Sequence, residues 1–147
     1  MRKLLAVVIP CYRVRAQILP LLASIGSEVD RIVVVDDCCP EQSGLHVEQG
    51  CSDPRVTVLK HTHNQGVGGA MVTGYRHVLQ LGTGVVVKLD GDGQMDPRWI
   101  KHLVQPIQSG VADYAKGNRF FRIEGLRSMP RIRLIGNAVL SFLSKIG

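Results

Sequence analysis

Four short apolar runs rich in β-branched residues recur along this chain at roughly 25-residue intervals, and each stops on polar residues. They are Leu4–Ile9, Ile32–Val35, Val56–Leu59 and Val85–Leu89. Runs of this kind, apolar at nearly every position apart from Thr57 and Lys88, are what strands buried on both faces of a parallel sheet look like. The segments between them carry helical spacing. Ile18, Leu19, Leu21, Leu22 and Ile25 predict a helix over 16–24, with Pro20 as a possible kink, and a shorter helix is expected near Ser43–Gln49. Val67, Ala70, Met71, Gly74, Tyr75 and Val78 predict a helix from Gly66 to Leu81 with those residues on its apolar face. Asp96-Pro97 reads as an N-cap and first-turn pair for a helix carrying Ile100, Leu103, Val104 and Ile107, disturbed by Pro106 and ended by Gly110. Pro10 is expected to end the first strand, a fifth strand is expected near Asp113–Lys116, and the tail from Ile132 to Ile146 has a helical pattern. Alternation of this type predicts an α/β fold with a mainly parallel central sheet.

Parallel α/β sheets bind ligands outside the carboxyl ends of their strands. Those ends are predicted at Cys11-Tyr12-Arg13, Asp36-Asp37, His61-Thr62-His63-Asn64, Asp90-Gly91-Asp92 and Gly117-Asn118-Arg119. All five are polar and two hold paired acids. Asp90 and Asp92 stand two residues apart at a strand end, so both carboxylates project to one side. Gly91 and Gly93 let the backbone turn there and approach a ligand closely. Hard cations such as Mg2+ take one or two carboxylates and fill their other positions with water and phosphate oxygens. The string alone is equally compatible with a Gly/Asp-rich turn; its place among five polar strand ends favours a metal–diphosphate clamp. It is not an EF-hand, because Met95 and Lys101 stand where that loop needs Gly and Glu.

Asp37, or Asp36, is placed to accept hydrogen bonds from a base or ribose. Gly66-Val67-Gly68-Gly69 opens a helix, so its N–H groups face either an anion or, more simply, the glycines serve close helix–sheet packing. It is not a P-loop, since no Gly-Lys-Ser/Thr follows, and it is a weak dinucleotide fingerprint. His61 and His63 receive no role.

Of 147 residues, 45% are hydrophobic and 20% charged, which is ordinary for one globular domain. Leu4–Ile9 is too short to span a bilayer and lacks a signal-peptide cleavage site, so a cytoplasmic location is expected. Cys11, Cys38, Cys39 and Cys51 have no C-x-x-C spacing and read as reduced, mostly buried thiols. The net charge of +6 falls in residues 116–147, where Lys116, Arg119, Arg122, Arg127, Arg131, Arg133 and Lys145 face Glu124 alone. Such a cluster suits phosphate groups, a lipid surface or nucleic acid.

Five strings together resemble glycosyltransferase family 2, and within it the polyprenyl-phosphate transferases of the dolichyl-phosphate mannosyltransferase type. They are Val8-Ile9-Pro10-Cys11-Tyr12, Val33-Val34-Val35-Asp36-Asp37-Cys38, Asn64-Gln65-Gly66-Val67-Gly68-Gly69-Ala70, the run Lys88 to Pro97, and Lys116-Gly117-Asn118-Arg119-Phe120. The resemblance implies a GT-A fold with a D-x-D metal motif. It implies that Pro10, Tyr12, Asp37, Gly68 and Asp90 serve the nucleotide and that Asp90 and Asp92 hold Mg2+ or Mn2+, with Gln94 beside the metal. It places Asp92, Gln94 and Arg119 at the chemistry, and Arg131 and Arg133 toward acceptor or donor phosphates. The implied reaction is inverting transfer from a GDP- or UDP-linked sugar to a polyprenyl or dolichyl phosphate at a membrane surface, with no nucleic-acid partner. Arg13, Arg15 and Cys39 depart from the family pattern. Family catalytic domains continue well past the equivalent of Gly147, so residues 1–147 are expected to be the nucleotide-sugar-binding N-terminal part, with a basic tail at 116–147. Two other readings remain: a non-catalytic nucleotide-sugar-binding or membrane-peripheral module, and a dinucleotide-binding oxidoreductase domain resting on the Gly66–Gly69 turn.

Overall fold

The computed structural model describes residues 3–117, which fall within a compact unit over Met1–Ala115 apart from the last two. The elements are β1 (Leu5–Cys11), α1 (Arg15–Ser24), β2 (Arg31–Asp36), α2 (Ser43–Gly50), β3 (Val56–Lys60), α3 (Gly66–Gln80), β4 (Val85–Lys88), a 3-10 turn at Pro97–Trp99 and α4 (Ile100–Gln108). The strands form one parallel sheet in the order β3-β2-β1-β4. From β1 the chain steps outward through α1 and α2 to β3. Then α3 carries it back across the sheet to β4, on the other side of β1.

That reversal puts helices on both faces. Alternate residues of β1 divide between two cores. Leu5, Val7, Ile9 and Cys11 pack with Ile18 and Leu22 of α1, Val47 of α2 and Ile100 and Val104 of α4. Ala6 and Val8 pack with Val33, Val35 and, from α3, Ala70, Met71 and Val78. Each fully buried Ile or Val contributes about 1.5–3 kcal/mol, and β1 and β2 hold most of them.

Pro10 does not end β1: it pairs in register with Val35, and the strand runs on to Cys11 opposite Asp36. The carbonyls of Leu4 and Val8, which share Pro10's parity, face β4 and accept from Val85 and Leu89. Pairing with β4 stops at Val8, so the donor Pro10 lacks would have had no partner strand. Among the described residues no strand forms near Asp113–Lys116. Val111 and Tyr114 are strongly exposed there, so the stretch buries too little to be held against a sheet. Pro20 and Pro106 both sit inside their helices. After Pro106 the turn closes on its own carbonyl, which accepts from Val111 and Ala112, and Gly110 takes a positive φ of 75°. The expected tail helix at Ile132–Ile146 lies outside the described residues. Among the described residues no helix is long and apolar enough to cross a membrane.

Candidate active site

The carboxyl ends of β1, β2 and β4 and the first turn of α3 enclose a cleft of about 250 Å³. Pro10, Tyr12, Asp37, Ala70, Asp90 and Asp92 are among its lining residues. Five residues singled out in the sequence therefore meet at one place: Pro10, Tyr12, Asp37, Asp90 and Asp92.

Glycine lets the β4 loop come this close. A Cβ on Gly91 would fall 3.1 Å from Val14 Cγ2 and 3.2 Å from the Pro10 carbonyl oxygen. Gly93 turns the chain with φ 75°. Asp92 Oδ1 accepts the Gln94 N–H at 3.0 Å, while Asp90 Oδ1 lies 2.6 Å from Lys88 Nζ. Among the described residues no three acid, His or Cys side chains gather in a cation cage. Two carboxylates on a solvent-facing cleft still fit Mg2+ or Mn2+, which need few protein ligands when water and diphosphate oxygens complete the shell. Gln94 is exposed and outside the cleft lining.

The two acids of β2 divide their work. Asp36 is buried and accepts the N–H groups of Cys39 and Gly44, so it ties the following loop to the first turn of α2. Asp37 lines the cleft instead. Its Oδ1 accepts from Gln65 N–H at 2.8 Å and lies 2.7 Å from His61 Nδ1. Burial pushes the Asp37 carboxyl up, but the Gln65 N–H, His61 and the Gly66 N–H outweigh it and hold it below the ordinary 3.8.

His61, which the sequence leaves without a role, reaches Asp37. Extending the β2–β3 register by one residue beyond the Asp36–Lys60 pair sets it opposite Asp37. Its Nε2 lies 2.9 Å from Thr73 Oγ1 on α3. Position at a strand end was the sequence signal available; nothing in the spacing of 37, 61 and 73 marks them as partners.

The glycines of α3 do not serve helix–sheet packing at Gly66 or Gly68, where an added Cβ would meet nothing within 4 Å. Gly66 is needed for its φ of 76°, and the close approach belongs to Gly74, whose Cβ would fall 2.3 Å from Val8 Cγ1. Gly68 is not in the cleft lining, although Val67 and Ala70 beside it are. Val67 and Tyr75, expected on the apolar face, are exposed.

The cysteines are all unpaired thiols, and Cys38 is exposed rather than buried. Burial, the Asp36 charge and Cys39 push the Cys11 thiol up to about 12. Cys39 accepts the Arg13 N–H at 3.0 Å and contacts the Ser43 hydroxyl. The departure at Cys39 thus braces the Arg13 turn, where φ is 57°. Arg13 lies over the Tyr12 ring, 5.4 Å from its centre. Arg119, Arg131 and Arg133 lie outside the described residues.

Comparison with known proteins bears on the family and the fold. The chain is 28% identical over 97% of its length to UDP-N-acetylglucosamine–dolichyl-phosphate N-acetylglucosaminyltransferase of Methanococcus voltae, and spans 62% of that protein. It therefore covers less than two thirds of this relative. Among solved structures, S. aureus TarS in complex with UDP-GlcNAc superposes with a TM-score of 0.59 at 22% identity, covering 75% of this chain and 32% of TarS. Glucosyl-3-phosphoglycerate synthase of Mycobacterium tuberculosis, in complex with Mn2+, UDP and phosphoglyceric acid, gives 0.56 at 20% identity over 73% of this chain and 39% of the synthase. These likenesses show the GT-A type of fold. The family description Glycosyl transferase family 2 matches residues 6–146, which is nearly the whole chain, and the chain belongs to that family.

Proposed function

We propose that this chain is the nucleotide-sugar-binding part of a catalytic domain that transfers a sugar from a GDP- or UDP-linked donor to a polyprenyl or dolichyl phosphate, with inversion at the anomeric carbon. The observation that carries the proposal is the meeting of Asp37, Asp90 and Asp92 in one cleft with Pro10 and Tyr12. The name of the M. voltae relative pairs a nucleotide-sugar donor with a dolichyl-phosphate acceptor, which supports the substrate classes.

In this reading Asp37 accepts hydrogen bonds from the base or ribose, and Pro10 and Tyr12 line the nucleoside pocket. Gly68, on the open first turn of α3, leaves room for the nucleotide. Asp90 and Asp92 hold Mg2+ or Mn2+, whose charge stabilises the departing diphosphate. Lys88 shares Asp90 with the cation and supplies a second positive charge beside it. Gln94 fixes Asp92 through its backbone N–H rather than through its side chain. Arg119, Arg131 and Arg133 are proposed to meet phosphates of donor and acceptor. A phosphate acceptor is already anionic at neutral pH, so the reaction needs no strong general base. The basic residues of 116–147 suit a peripheral encounter with an anionic membrane carrying that acceptor. The Gly66–Gly69 turn follows β3 and opens a helix of a family 2 glycosyltransferase, so the oxidoreductase reading is set aside.

Asp92→Asn tests the clamp. It keeps the Asx turn to Gln94 and removes the charge. Mn2+-dependent affinity for UDP or GDP should fall about tenfold or more, roughly 1.4 kcal/mol, with an unchanged circular dichroism spectrum. Unaltered affinity at saturating Mn2+ contradicts the assignment.

A further inference from the structure

Asp37 does not stand alone at the cleft: His61 reaches it from the end of β3, and Thr73 reaches His61 from the middle of α3. The side chains of His61 and Asp37 are 6% and 4% exposed. Asp37 Oδ1 and His61 Nδ1 are 2.7 Å apart, and His61 Nε2 and Thr73 Oγ1 are 2.9 Å apart. An ionised carboxylate can only accept, so Nδ1 carries the hydrogen of the first contact. In the neutral ring Nε2 then accepts from the Thr73 hydroxyl, and both ring nitrogens are satisfied.

The loop between His61 and α3 closes around the same acid. Gln65 N–H joins His61 on Oδ1, and Asn64 Nδ2 donates to the Asp37 carbonyl at 3.3 Å. Two donors on one oxygen fix the plane of the carboxylate. A carboxylate offers about four lone-pair sites, so acceptor capacity remains toward the cleft that Asp37 lines.

Fold stability alone is a poor reason for this arrangement. Replacing a buried charged pair by well-packed apolar groups of similar volume often costs little or nothing. The specific product of the arrangement is an acid of set orientation at the mouth of a ligand site. We infer that His61, braced by Thr73, is a positioning residue for the nucleoside end of the donor site: it aims the Asp37 carboxylate at the bound nucleoside and so sets nucleotide affinity. This rests on the proposed nucleotide reading of the cleft.

Titration calorimetry of UDP and GDP with Mn2+, on the full chain, tests it through a double-mutant cycle. The set is wild type, His61→Ala, His61→Asn, Thr73→Val, Asp37→Asn and the His61→Ala/Asp37→Asn pair. Loss of a hydrogen bond to a charged group predicts weakening of about tenfold in His61→Ala. Asn places an amide N–H near the position of Nδ1, so His61→Asn should stay within about threefold of wild type. Thr73→Val should weaken binding by about threefold through loss of the brace. Because His61 acts through Asp37, adding His61→Ala to Asp37→Asn should cost less than about twofold more. The Mn2+ dependence of binding should survive in every His61 variant, which separates this effect from damage at Asp90 and Asp92. Wild-type affinity in His61→Ala, or a full additional loss on the Asp37→Asn background, overturns the inference while leaving the nucleotide reading standing. Should His61→Ala not fold, Thr73→Val with and without Asp37→Asn decides by the same criterion. Absence of binding to the wild-type chain overturns the nucleotide reading and this inference with it.

Discussion

Asp36 and Asp37 are adjacent, chemically identical and given to opposite tasks. Side chains alternate along a strand, so two successive acids cannot face the same way. Asp36 turns inward and becomes the anchor of the α2 turn; Asp37 faces the cleft and is held by donors from the β3–α3 loop. The depressed pKa of Asp37 has a pH consequence. A group whose folded pKa lies below its unfolded value contributes stability that is present above the unfolded value and lost as pH falls through the folded one. Wild type should therefore lose stability as pH drops below 3.8 more steeply than Asp37→Asn does, and the two urea midpoints should converge. Parallel midpoints from neutral pH down to acid contradict the assignment of Asp37 as a carboxylate stabilised by its donors. The choice between the two acids was open in the sequence, because a run apolar at every position carries no signal of which face each residue takes. The Asp37–His61 contact was hidden for another reason: it depends on the β2–β3 register, which local patterning does not reveal.

At the scale of elements, the four strands were legible as short, mostly apolar β-branched runs, and α3 and α4 through apolar residues near the 3.6 period; α2, with only Val47 and two small residues buried, carries too short a pattern to be read as firmly. What was not legible depends on neighbours. Pro10 stays in β1 only because β4 has already stopped pairing on that side. The expected strand at Asp113–Lys116 has the composition of an edge but nothing to bury. The Gly66–Gly69 string is open in the sequence to anion binding or to helix–sheet packing; the helix approaches the sheet at Gly74 and not at Gly66 or Gly68. That contact makes Gly74 the tightest point between α3 and the sheet. Gly74→Val should destabilise the protein by about 1–3 kcal/mol through overpacking against Val8 and Val35. The urea midpoint should fall with an unchanged slope. An unchanged midpoint would mean that α3 rides farther from β1 and β2 than the structure has it.

For the whole molecule, the strand order is what creates the cleft. The chain leaves β1 in one direction and returns to β4 on the other side, and ligand sites in such sheets form where the order reverses. Pro10 and Tyr12 come from β1, Asp90 and Asp92 from β4, and Asp37 from β2 beside them. Pooling the polar strand ends into one site was legible in the sequence, because the parallel topology puts all carboxyl ends on one edge. The charge is divided just as sharply, with the whole net excess of +6 in residues 116–147. If that excess serves an anionic membrane surface, Arg131→Ala with Arg133→Ala should weaken the affinity for phosphatidylglycerol vesicles, read by sedimentation, by about thirtyfold, at about 1 kcal/mol per basic residue. Sedimentation equal to wild type removes the membrane role from those two arginines.

In the proposed function the cleft binds a nucleoside diphosphate through a divalent cation. Titration calorimetry of the wild-type chain with UDP, GDP, UDP-glucose, GDP-mannose and NAD, each with and without Mn2+, tests it most directly. UDP or GDP and its sugar conjugate should bind only when Mn2+ is present, and NAD should not bind. Equal affinity with and without Mn2+, or binding of NAD without metal, would contradict it.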